Sequence, residues 1–192
     1  MPVDIREQAT DNLRFIRSAM ERAERVSAAS GAGGMAMGAV ALVAMTIAAG
    51  VEPLQVQLLV WIGAAFLALV AGAAGSWIKA RQKDLVLFGD PGRRFLLCLV
   101  PPLLVGAILT AALWQSEQIV LLPGFWMLLY GCGVLAAGTY AAAPVMQMGG
   151  CFLVAGLFAG ALPVAWSNPL LGAAFGGLHV FFGYQVYRHH GG

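Results

Sequence analysis

His179 is the one His, Lys, Arg, Asp or Glu residue that falls deep inside an apolar stretch of this chain. An imidazole in that position can shuttle protons, ligate a metal or gate a pore. Ionisable residues inside a hydrocarbon phase mark a function by default. Cys132 and Cys151 fall at comparable depth on the two preceding apolar stretches. Two thiols and an imidazole suit a soft metal. The pattern, however, has no CxxC pair, no HxxxH pair and no carboxylate to hold a ligand from behind. The thiols therefore read as small packing groups, and no metal or other cofactor is expected. His179 without a charged partner makes a poor proton relay. It reads as a histidine hydrogen-bonded across a helix interface, with Thr139, Tyr140, Gln147 or Ser76 as partners. Pro101-Pro102 removes two backbone donors from one apolar stretch and predicts a bend. A broken helix can line a cavity, or it can be a fixed bend satisfied by its neighbours. His179, Gln147, Cys132, Cys151, Pro101 and Pro102 are thus the candidates for a buried polar site or pathway.

Other chemistry is absent. No Asp or Glu falls inside an apolar stretch, which argues against a carboxylate-coupled transporter. There is no Gly-x-Ser-x-Gly, no His-Glu-x-x-His, no Asp pair for a membrane protease, no P-loop and no dinucleotide fingerprint. No catalytic residue is assigned, and the reading is non-enzymatic.

The elements that must position these residues follow from composition. Of 192 residues, 60% are hydrophobic and 10% charged, and the mean hydropathy is +0.80. Soluble domains carry about 25% charged residues, so most of this surface must face lipid. Six apolar stretches lie at about 34–51, 54–78, 95–114, 119–142, 144–166 and 169–187. Each is long enough to cross a hydrocarbon core of about 30 Å. Asn168-Pro169 reads as a cap and first turn for the last of them. The fold class is all-α: a six-span bundle over 31–188, preceded by an amphipathic helix and hinge over 4–30.

That helix carries Ile5, Leu13, Ile16 and Met20 on one stripe, with five Arg balanced by five acids. A lipid-surface anchor would be richer in cations. The stripe therefore predicts packing on protein, as a homodimer or with another membrane protein. Ser27 to Gly34 reads as its hinge. The loop 79–94 adds a Leu85–Phe88 patch and an Asp90-Pro91-Gly92 turn signal. Gly34/Gly38, Gly156/Gly160 and Gly172/Gly176 are GxxxG pairs, which let helices approach closely where lipid offers no hydrophobic drive.

All eleven Lys and Arg residues fall on one side of a six-span chain. Cytoplasmic loops retain such charges, so both termini are expected in the cytoplasm. Nine Arg against two Lys, with abundant Ala and Gly, point to a GC-rich bacterium and so to its inner membrane. No signal peptide is expected, because polar residues precede the first apolar stretch. The net charge of +2 gives no reason to expect a nucleic-acid partner. Three functions compete on these grounds. The first is a membrane-embedded interaction or regulatory subunit working through the N-terminal helix and the 79–94 loop. The second is a passive channel or uncoupled carrier for a small neutral or apolar solute. The third is a lipid- or quinone-modifying enzyme.

Overall fold

A computed structural model describes residues 11–16, 29–83 and 89–190. These residues are helical throughout, joined by short turns, with no strand among them. Helix α1 (Gly31–Ala49) starts earlier than the glycines suggested. Ser30 caps it, its Oγ accepting from the Gly33 N–H at 3.2 Å. Residues 31–34 are therefore helix and not hinge. Glycine costs a helix about 1 kcal/mol per residue in isolation, but here it permits backbone contact. A Cβ on Gly31 would strike the Tyr187 backbone, and one on Gly33 would lie 3.2 Å from the Gly72 carbonyl.

Helix α2 (Leu54–Gln82) and helix α3 (Asp90–Gln115) follow. Pro101 and Pro102 stand inside α3, and the helix continues through them. A short 3-10 turn (Ile119–Leu121) leads into α4 (Leu122–Ala137), and a second one (Gly138–Tyr140) leads out. Helix α5 (Ala143–Ala159) is 17 residues long, shorter than the 144–166 stretch predicted it to be. The chain turns at Gly160, and Val164–Trp166 forms another 3-10 turn. Prolines open α3, α4 and α5, where the missing N–H costs nothing.

The last rod is composite. Helix α6 (Ser167–Leu171), a π-helical segment (Gly172–Leu178) and α7 (His179–His189) run end to end. The junction residues Gly172 and His179 keep right-handed helical torsions. Asn168 does not cap this rod. Its side chain reaches across to α2 and α1, accepting from Trp61 Nε1 and donating to the Met45 carbonyl, each at 3.0 Å.

Gly31–Ala49, Leu54–Gln82, Gly92–Gln115 and Ile119–Tyr140 are long and apolar enough to cross a membrane. The helices sort into two trios. In one, α1 packs along α2 on one side and along the rod 167–189 on the other. In the second, α4 packs between α3 and α5. Backbone contacts between trios are fewer, and they run chiefly from α5 to the 167–189 rod. The buried core lies at this junction. It draws Met127, Tyr130, Met148 and Phe152 from one trio and Leu171, Ala174, Phe182 and Val186 from the other. Within trios the seams are glycine: Gly38 against the Gly176 carbonyl, Gly75 against Gly33, Gly131 against the Gly149 carbonyl. Between trios the space is wider and large side chains fill it.

Candidate functional site

Four rings close around the centre of the junction. Tyr130 comes from α4, Phe152 from α5, Phe175 from the π segment and His179 from the start of α7. Ring centroids lie 4.8 Å apart for Tyr130–Phe152, 4.8 Å for Phe152–Phe175 and 5.4 Å for Tyr130–His179. Phe175 and His179, one turn apart, stack nearly parallel at 13°. Phe152 is 0% exposed and His179 3%. Edge-to-face and tilted aromatic contacts each add about 1 kcal/mol beyond their buried area.

One hydrogen bond crosses this box. Tyr130 Oη and His179 Nε2 lie 2.7 Å apart. The phenol donates when the ring proton sits on Nδ1. Nδ1 makes no bond of good geometry, although the Phe175 carbonyl one turn back interacts with the ring. The partner of His179 is therefore Tyr130, not Thr139, Tyr140, Gln147 or Ser76. A signal for it was available in the sequence. Tyr140, Tyr184 and Tyr187 stand near helix ends, whereas Tyr130 sits in mid-helix, where its hydroxyl must find a partner.

The π segment explains why the glycines and His179 part company. Read at 100° per residue, Gly172, Gly176, Gly183 and His179 share one face. With i→i+5 bonding the rod turns less per residue. Gly172 and Gly176 meet Met45 and Leu42 of α1, and Gly183 meets the α1 backbone. The His179 side chain instead reaches α4 and α5.

The other predicted residues do not join this site. Cys132 and Cys151 are exposed on the outer faces of α4 and α5, and all three cysteines are free thiols. Gln147 is exposed on α5. Pro101 is exposed, and Pro102 lies partly buried against Gly133. Among the described residues no three of His, Cys, Asp and Glu gather to hold a metal ion. Of the GxxxG residues, Gly34 and Gly38 face the 167–189 rod, Gly156 faces Leu128, and Gly160 is exposed with only the Leu157 carbonyl near it, at 3.9 Å. Leu13 and Ile16 are exposed on the described helical turn 11–16. Ile5 and Met20, with the rest of that predicted helix and the Leu85–Phe88 patch, lie outside the described residues.

The ends of the rods define a second region. Lys79, buried at the end of α2, donates from Nζ to the Ala29 carbonyl at 3.2 Å. Gly31 at the start of α1 abuts Tyr187 near the end of α7. Arg94 at the start of α3 lies over the Tyr140 ring, 5.9 Å from its centroid. Arg81 lies over Trp77 at 5.0 Å. The cation-bearing ends of α2, α3 and α7 therefore fall at one end of the molecule. Glu52 and Glu117 sit in the turns at the other. Comparison with family models, with curated proteins and with solved structures finds no match for this chain.

Proposed function

We propose that this chain is a six-span integral membrane protein, of a bacterial inner membrane, with both termini in the cytoplasm. Its work is done by contact with another membrane component and not by catalysis. Support comes first from what the interior does with its polar groups. The deep His179 is engaged in an internal bond to Tyr130 among packed aromatic rings, which favours packing over a conduit. The observation that carries the reading is the state of α2 and α3. Only 6% of the residues in the most apolar stretch of each are buried. Each packs chiefly on a single helical neighbour. A lone lipid-facing helix needs no more than that, but two such helices also leave faces free for a partner. Leu13 and Ile16 extend the same offer on the cytoplasmic side.

A photocrosslinking residue at Phe66 or Leu104, both exposed, tests this in native membranes. A discrete protein adduct is expected at one of these helices and not at Phe158 on α5. Lipid adducts alone at every position would contradict the interaction reading.

The carrier reading has one observation in its favour. Two trios with few backbone contacts between them, and a polar pair at their junction, resemble the halves of a rocking transporter. Reconstituted protein then tells the two apart. On the interaction reading, wild type and His179→Ala pass small neutral solutes no faster than empty liposomes do.

A further inference from the structure

We infer that the cation-bearing end is a collar for anionic phospholipid headgroups. This rests on the membrane reading above, and it names one partner of that end. The charge count is lopsided. The N-terminal segment is balanced, five Arg against five acids. Beyond it, six cations and only two acids, Asp84 and Asp90, belong to one end by sequence, and Glu52 and Glu117 to the other. Lys79 is consumed internally by the Ala29 carbonyl. Arg81, Arg93, Arg94 and Arg188 are exposed.

Two of these arginines are held in a particular way. Arg81 lies over Trp77, and Arg94 over Tyr140. Trp77 and Tyr140 are themselves exposed apolar-bodied rings. Trp and Tyr settle at the headgroup level of a bilayer. A guanidinium stacked on such a ring keeps its N–H donors free at its edge. At that depth the group those donors meet is a lipid phosphate, which guanidinium binds with two parallel hydrogen bonds. Arg188 at the end of α7 places a further cation on the same rim. The collar thus runs round both trios, with Arg81 and Arg188 on one and Arg93 and Arg94 on the other. Anionic lipid would bridge the two trios where the backbone makes few contacts.

The test uses the full chain in nanodiscs of mixed phosphatidylcholine and phosphatidylglycerol. After detergent extraction, native mass spectrometry counts the lipids retained. Wild type should keep phosphatidylglycerol preferentially, by about fivefold for each cation that reaches a headgroup. The variant R81Q/R93Q/R94Q/R188Q should lose most of that preference. Added sodium chloride should weaken it, and inorganic phosphate at equal ionic strength should do no more. Equal retention of both lipids by wild type overturns the collar, as does an unchanged preference in the variant. Displacement by inorganic phosphate beyond the chloride control would also overturn it, because the site would then be one for a free anion. A wild-type chain that an alkaline wash strips from neutral bilayers would instead sink the membrane reading itself.

Discussion

Tyr130 and His179 show what a single polar pair does in an apolar core. Both groups are buried, so each depends on the other. Removing the phenol hydroxyl leaves Nε2 unpaired, and removing the imidazole leaves the hydroxyl unpaired. Tyr130→Phe and His179→Phe should each destabilise the protein by about 1 kcal/mol or somewhat more. The double variant should cost less than the two single costs added together, because the second change removes the orphan left by the first. Unfolding in mixed micelles measures this directly. Strictly additive costs would mean that the 2.7 Å contact contributes no coupling and that the two residues act only as ring volume.

At the scale of helices, close approach is the organising device, and adjacent glycines on α5 separate it from propensity. A Cβ on Gly149 would lie 2.7 Å from the Leu135 Cα and 3.0 Å from the Gly131 carbonyl, both backbone atoms of α4. Gly150, one residue on, has nothing within 4 Å. Gly149→Ala should therefore cost about 1–3 kcal/mol by forcing α4 and α5 apart. Gly150→Ala should be neutral or slightly stabilising, with thermal unfolding in detergent as the readout. Much of this level was legible in the sequence. The apolar runs place most of the helices within a few residues, but α5 stops at Ala159, and Asp90-Pro91-Gly92, a turn by its residue types, is the first turn of α3. What escaped has physical causes. The glycines at 31–34 look like a hinge because propensity counts only local cost, whereas their helix is held by Tyr187 and Gly75 from distant segments. The partner of His179 was missed because the sequence does not say which residues of α4 and α5 lie level with the imidazole, and a fixed 100° period cannot foresee the π segment that turns this side chain away from the glycine face on α1. Asn168 reads as a cap because it precedes a proline, yet its amide serves Trp61 and Met45 across the trio.

For the whole molecule, two glycine-sealed trios meet on large apolar and aromatic side chains, with cations at one end and Glu52 and Glu117 at the other. That polarity is what makes the six-span arrangement testable. The three native cysteines are first replaced by alanine. Single cysteines are then introduced by Glu52→Cys, Glu117→Cys, Lys83→Cys and Arg188→Cys, and sealed membrane vesicles of known orientation are treated with an impermeant maleimide. Positions 52 and 117 should react only from the periplasmic side, and positions 83 and 188 only from the cytoplasmic side. Labelling of position 188 from the same side as 52 and 117, or of all four positions from both sides, would contradict the six-span membrane protein proposed here.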